Sequence, residues 1–299
     1  MGQQRPLILA VGEILWDLLP SGKQLGGAPA NFAYHAAQLG ADARTISAVG
    51  ADPLGSEILG RLRELQLDTN LISIDAKRPT GSVTVALGPQ GQPTYTIHEN
   101  VAWDFLPWTP EQLDVVRKAD CICFGSLAQR SPVSRHTVHA IIDTTPRGAI
   151  RVFDINLRQH YYDAHVIESS LNLADVLKIN DEELPVLGKL LALTNPIPQH
   201  LFKRFESLRL IALTRGGVGS VLYAHDGATD EHPGYPVPPA YLVDTIGAGD
   251  AFTAAVAVGL LRKLPIPRIN DAANRLASYV CTQRGATPII PPDLLAHLD

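Results

Sequence analysis

Only three cysteines occur in the 299 residues, Cys121, Cys123 and Cys281, too few for a disulfide framework. Cys121 and Cys123 alternate within an apolar run, which puts both on one face of a buried strand as packing residues. No run of about 18 apolar residues is present, so no membrane-spanning helix is expected. The N-terminal Met-Gly-Gln-Gln-Arg-Pro leads straight into Leu7–Val11, without room for a secretory h-region. The expectation is a cytoplasmic, reduced protein with no membrane partner. A basic block is also missing: 25 Lys and Arg against 30 Asp and Glu give a net charge of −5 and a pI near 6.0. Such a chain has no electrostatic footprint for nucleic acid.

Several catalytic signatures are absent too. No Gly-x-x-x-x-Gly-Lys-[Ser/Thr] run occurs, which excludes a P-loop kinase. The first apolar run is followed by Gly12-Glu-Ile-Leu-Trp-Asp17, not by Gly-x-Gly-x-x-Gly, which disfavours a dinucleotide oxidoreductase. The ten histidines show no His-Glu-x-x-His spacing. His136 and His139 lie one helical turn apart and read as an exposed face.

What remains is an alternating pattern in a chain that is 45% hydrophobic and 18% charged. Short apolar runs predict strands at Leu7–Val11, Thr45–Val49, Cys121–Phe124, Arg151–Ile155, Val176–Ile179 and Leu210–Leu213. Helical spacing predicts helices at Pro29–Leu39, Leu54–Leu65, Pro110–Lys118, Val133–Asp143 and Glu182–Leu190. Two more are predicted at Ala248–Leu261 and Ile269–Thr282, separated by Pro265 and Pro267. Strand–helix alternation implies an α/β fold with a mostly parallel sheet flanked by helices. One region departs from it. Thr80–Leu87 and Thr94–His98 alternate in the β manner around a Gly88-Pro-Gln-Gly91 turn, a hairpin that needs something to cover. Pro233–Pro239 reads as an irregular surface segment.

Three places carry chemistry. Asp244-Thr-Ile-Gly-Ala-Gly-Asp250 precedes a small, apolar helix starting at about Ala248. Glycines there let a ligand approach the backbone, and free N–H groups at a helix start form an anion site. Asp250 in the first turn either caps the helix or takes a proton from a substrate hydroxyl. Gly26-Gly-Ala-Pro-Ala-Asn31 opens another helix, with Asn31 either satisfying local backbone or bonding a polyol. Asn180 and Glu183 have capping-box spacing at a strand–helix junction.

Taken together, these motifs resemble the ribokinase-like (PfkB-type) carbohydrate kinases, from end to end of the chain. The resemblance implies a single kinase domain over residues 1–299, with a small β-sheet lid from about 14–25 and 80–105. It implies Asp250 as catalytic base, with the backbone of Gly247, Ala248 and Gly249 as the anion hole. Asp17, Gly26, Gly27, Asn31, Asn156 and Arg158 would bind the sugar. Thr214, Gly216 and Gly219 would contact ATP, and Asn274 would neighbour the adenine. Asn180 and Glu183 would organise the water shell of Mg²⁺. Asp244, with the Gly285–Ala286 loop, would hold a monovalent cation such as K⁺. Gly-Glu-x-Leu-x-Asp followed by Gly-Gly-Ala-Pro-Ala-Asn looks most like the bacterial fructokinases, so fructose to fructose 6-phosphate is the expected reaction. 2-Keto-3-deoxygluconate kinase, ribokinase, nucleoside kinase and a non-catalytic sugar- or nucleotide-binding relative stay open. A homodimer through the lid is a further expectation.

Overall fold

The computed structural model describes residues 5–19, 22–87 and 93–298. Its first third holds β1 (Leu7–Val11), β2 (Leu15–Leu19), β3 (Gly22–Gly26), α1 (Ala28–Gln38), β4 (Asp42–Gly50), α2 (Pro53–Glu64), β5 (Ile72–Asp75), β6 (Gly81–Leu87) and β7 (Pro93–Ile97). The middle holds α3 (Pro110–Val116), β8 (Cys121–Gly125), α4 (Pro132–Thr144), β9 (Ile150–Asp154), α5 (Ala164–Leu173), β10 (Val176–Asn180), α6 (Glu183–Leu190) and α7 (Ile197–Arg204). The last third holds β11 (Leu210–Thr214), β12 (Ser220–Ala224), β13 (Thr229–His232), α8 (Ala248–Leu261), α9 (Ile266–Cys281) and α10 (Pro292–Leu295).

The main sheet runs β13-β12-β11-β10-β9-β8-β1-β4-β5. It is parallel from β11 to β5, and β12 and β13 are added antiparallel at one edge. Both faces are covered, as a parallel sheet requires. Within β1, Leu9 and Val11 join one core while Ile8 and Ala10 join the other, the period-two alternation of a strand. Cys121 and Cys123 share the second face with α1, α8 and α9, the packing role their spacing implied. In α8 the residues from Ala251 to Gly259 are all buried. Its small residues let this helix sit between the sheet, α1 and α9.

The predicted hairpin is present as β6 and β7, in antiparallel register with Val83 opposite Ile97. It belongs to a second sheet, β3-β2-β6-β7, in which β2 also pairs parallel with β6, Asp17 facing Val83. The Gly88–Gly91 turn lies outside the described residues. Among the described residues, no helix is long and apolar enough to cross a membrane.

Three expectations need correction. Pro267 does not separate the last long helices: α9 starts at Ile266, with Pro265 as its cap and Pro267 in its first turn. Proline is tolerated there because that N–H has no intrahelical acceptor. β4 starts at Asp42 rather than Thr45, because pairing with β1 extends it, Leu7 opposite Asp42. His139 is half-buried, with Nε2 3.1 Å from Gln129 Oε1, and His136 alone of the pair is exposed.

Candidate active site

The parallel strands bring their C-terminal ends to one side of the sheet, where an α/β fold gathers its functional groups. A recess opens there. It is lined by Glu13 after β1, Ala28 and Pro29 at the start of α1, Gly125–Leu127 after β8, Asp154 and Asn156 at the end of β9, and Asp250 in α8.

Asp250 sits in the first turn of α8, as its sequence implied. Asn31 Nδ2 donates to Asp250 Oδ2 at 2.8 Å. A residue assigned to sugar and a residue assigned to base therefore touch directly. The residue as a whole is half-buried, but its carboxyl faces inward. Burial first, then the charge of Asp154, push its pKa up to about 6, against the Asn31 hydrogen bond and the charges of Lys178 and Arg158. A carboxylate titrating there is mostly ionised at neutral pH and still basic enough to take a proton.

The start of α8 is open. Gly247 caps it in the left-handed region at φ 80°, and a Cβ there would lie 2.7 Å from the Ala286 backbone. Ala248 N–H, expected in the anion hole, is instead spent on the Thr245 carbonyl at 3.3 Å, because the turn before the helix brings that oxygen within reach, and Ala251 N–H bonds the Gly247 carbonyl. Among the described residues, the N–H groups of Gly247, Gly249 and Asp250 have no such acceptor. Free N–H groups and the helix dipole make this an anion site. Lys178 strengthens it. A Cβ on Gly249 would lie 3.0 Å from Lys178 Nζ, so the ammonium stands against the helix start. Lys178 is 8% exposed and pairs with Asp154 Oδ1 at 3.2 Å. Thr253 Oγ1 donates to the other Asp154 oxygen at 2.8 Å.

Among the residues expected to bind sugar, Gly27 caps α1 at φ 113°, where a Cβ would meet the Glu13 carbonyl at 2.6 Å. A Cβ on Gly26 would lie 2.5 Å from Asp17 Oδ2, so this glycine packs against that carboxyl. Burial raises the Asp17 pKa, and Arg158 counters it. The Arg158 charge also acts on Glu13 and Asp250. Asn156 lines the recess with a positive φ of 41°. The structure thus gathers Asp17, Asn31, Asn156, Arg158 and Asp250 from four separate segments.

The residues expected to contact the nucleotide are arranged differently. Asn180 Oδ1 accepts from Glu183 N–H at 2.8 Å and Asn180 N–H donates to Glu183 Oε2 at 3.0 Å, a reciprocal capping box. Glu183 Oε1 accepts from Leu157 N–H at 2.8 Å, which ties the Asp154–Arg158 loop to the start of α6. Thr214 ends β11, and Gly216 and Gly219 flank an exposed turn. Asn274 is buried, its amide donating to Ser220 Oγ at 2.7 Å and to the Asn270 carbonyl at 2.8 Å. Asp244 accepts from Ile246 N–H at 2.9 Å and Gly285 N–H at 3.4 Å. The Ala286 carbonyl lies 2.9 Å from His35 Nε2.

Among the described residues, no group of three or more His, Cys, Asp or Glu could hold a metal ion. Each Glu183 oxygen keeps a lone pair beyond its backbone bond. That donor set suits contact through water with an ion carried in on a nucleotide.

Sequence reasoning missed Glu13, Asp154 and Lys178. A lysine inside the apolar run Val176–Ile179 was the available signal, since lysine is almost never buried without a partner. Acidic residues at the C-terminal ends of parallel strands were the other.

The nine-stranded, mostly parallel sheet with a smaller four-stranded sheet beside it is the fold of the ribokinase-like sugar kinases. The chain belongs to the pfkB family of carbohydrate kinases, whose pattern matches residues 21–293. It is 33% identical over 264 residues to a fructokinase of Klebsiella pneumoniae, covering 85% of this chain and 84% of that one. An uncharacterised sugar kinase of Pyrococcus horikoshii, solved with ATP, is 29% identical with a TM-score of 0.81, covering 97% and 99%. A fructokinase of Vibrio cholerae shares the fold, with a TM-score of 0.78 and 24% identity over 100% of both chains.

Proposed function

We propose that this carbohydrate kinase transfers the γ-phosphoryl group of ATP to a primary hydroxyl of a monosaccharide, with fructose as acceptor and fructose 6-phosphate as product. The observation that carries this reading is the Asp250 carboxyl, held by Asn31 at 2.8 Å and standing beside unpaired helix N–H groups. The base takes the hydroxyl proton. The oxygen left behind bonds the γ-phosphorus as the bond to the bridging oxygen of ADP breaks. The N–H groups of Gly247, Gly249 and Asp250, backed by Lys178, face the charge that develops. Mg²⁺ carried on the nucleotide would neutralise phosphate charge, with Asn180 and Glu183 within its water shell. Thr214, Gly216 and Gly219 would contact ATP, beside Asn274. Asp244 and the Gly285–Ala286 carbonyls would take a monovalent cation.

The similarity to the Klebsiella fructokinase supports fructose. We read the chain as one domain whose small sheet closes over the sugar and excludes water. Its edge strands β3 and β7 would also serve a homodimer, tested by light scattering. Three free cysteines, two of them buried, suit a reducing cytoplasm.

The test is ATP consumption against fructose, 2-keto-3-deoxygluconate, ribose, adenosine and fructose 6-phosphate. Selective turnover of fructose supports the reading. Turnover of another acceptor keeps the chemistry and changes the substrate. No turnover with any of them points to a non-catalytic relative.

A further inference from the structure

The loop that leaves β9 carries both Asn156 and Arg158, and its backbone is not relaxed. Asn156 and Gln159 have positive φ values of 41° and 49°, uncommon for residues other than glycine. Such backbone persists where its surroundings over-determine it. On one side the Leu157 N–H is fixed by Glu183 Oε1. On the other side the loop is fixed by the small sheet.

Gln159 Nε2 donates to the Tyr95 carbonyl at 2.7 Å. The Tyr161 hydroxyl stands 3.2 Å from the Ile97 carbonyl and 2.9 Å from Glu99 Oε1, and its single hydrogen serves one of them at a time. Tyr95 and Ile97 are alternate residues of β7, so their carbonyls point the same way. β7 is the last strand of its sheet. The residue after Ile97 faces the neighbour β6, since His98 N–H bonds the Ser82 carbonyl. Tyr95 and Ile97 therefore face the open edge, and the loop docks there. This part of the β7 edge is engaged within the chain.

Tyr161 is itself steadied. The Arg130 guanidinium lies 4.7 Å from its ring centre. Arg130 also donates to the His98 carbonyl at 2.6 Å and pairs with Asp104 through two N–H groups at 2.8 and 2.9 Å. The chain leaving β7 and the loop leaving β9 thus meet on one buried cation.

This arrangement has a consequence for the recess. β2 and β7 belong to the same sheet, whose ladder moves them together, and β2 carries Asp17. The loop carries Arg158, whose charge acts on Asp17 and on Asp250.

We propose that Gln159 and Tyr161 are positioning residues that strap the Asn156–Arg158 loop to the edge of the small sheet, so that Arg158 and Asp17 come onto the acceptor as one unit. This rests on the kinase reading above and concerns how its acceptor site is assembled. With the strap cut, only part of the population holds the competent arrangement, and apparent acceptor affinity falls by that fraction. The proton transfer at Asp250 is unchanged once an acceptor is seated.

The test compares the full-length wild type with Tyr161→Phe, Gln159→Met and the double variant, at saturating ATP, on fructose or on whichever acceptor of the panel the wild type turns over best. Tyr161→Phe removes one oxygen and keeps the ring that Arg130 stacks on. Gln159→Met keeps the length and loses the donor. Each single variant should raise the acceptor KM by about fivefold, the equilibrium weight of one net hydrogen bond, and the double variant should exceed either. The kcat and the KM for ATP should stay within about twofold, the pattern of lost acceptor binding. The melting temperature should stay where it was.

An unchanged acceptor KM in the double variant overturns the proposal. So does a loss shared equally by the KM for ATP, or one accompanied by a lower melting temperature, which marks a structural role. Should the double variant fail to fold, Tyr161→Phe alone decides by the same criteria. If the wild type turns over no acceptor, the kinase reading has failed on this panel, and the strap is read without it by hydrogen exchange of the unliganded protein. Exchange faster by about fivefold or more in the double variant, in peptides of both 155–162 and β6–β7, supports the strap. Faster exchange in one of them, or in neither, overturns it.

Discussion

The two ends of the candidate site are built on opposite plans. At the sugar end, side chains do the arranging: Asn31 grips Asp250, and buried acceptors stand unpaired. At the nucleotide end the side chains are already satisfied. Asn180 and Glu183 bond each other's backbone, and Asn274 is spent on Ser220 and Asn270. What that end leaves open is backbone and apolar surface in the Gly216–Gly219 turn, where Val218 is 66% exposed. The difference fits the proposed ligands. A small polyol is recognised by its many donors, whereas a nucleotide offers a flat base and phosphates that glycine-rich backbone accommodates.

The comparison breaks hardest at Asp250. Asp250→Ala should cut kcat by about 10²–10⁴-fold, the weight of a general base, with little change in sugar affinity by calorimetry. Near-normal turnover would remove the base from the sugar end. Lys178→Met comes next, because it leaves Asp154 a buried, unpaired charge. A loss of about 3–5 kcal/mol is expected in denaturant unfolding. Adding Asp154→Asn should restore most of it, and no recovery would mean that the pair is not coupled.

Asp250→Asn should do the opposite to stability. The wild-type carboxyl titrates at about 6 when folded, against 3.8 for the free group. A raised acid pKa destabilises the fold once the group is ionised. That penalty is absent below about pH 4, grows between 4 and 6, and is complete above 6. The variant should therefore gain about 2–3 kcal/mol at pH 8 and nothing near pH 3.5. The same group predicts that wild-type kcat/KM falls as pH drops below about 6. Equal melting temperatures of the two proteins at pH 8 would deny the desolvation of Asp250. Asn274→Ala is the smallest step: the loss of about 1 kcal/mol for its hydrogen bonds and a raised KM for ATP, with the KM for sugar unchanged. A change in the sugar KM would show that the two ends are not separable.

Much of this was legible in the chain. The helix predicted at Ala248–Leu261 has those limits in the structure, because left-handed Gly247 before an alanine-rich run is a local signal. The strands Leu7–Val11 and Val176–Ile179 agree to within a residue. Six elements escaped: β5, β12, β13, α5, α7 and α10. β13 is Thr-Asp-Glu-His, with little apolar pattern of its own, and becomes a strand by pairing with β12. α7 carries Pro198 in its first turn, which reads as a breaker until the helix start is known.

Within the site, the sequence by itself determined the helix starts, the glycines that expose them and the identity of the acidic group at α8. Those follow from φ preferences and from unpaired N–H groups, which are properties of a few adjacent residues. Only the tertiary structure decided that Asn31 meets Asp250 across 219 positions of chain, that Lys178 and Asp154 stand beneath the anion site, and that Glu13 is stripped of water. Proximity and desolvation come from what packs around a group, and no local stretch of sequence encodes that.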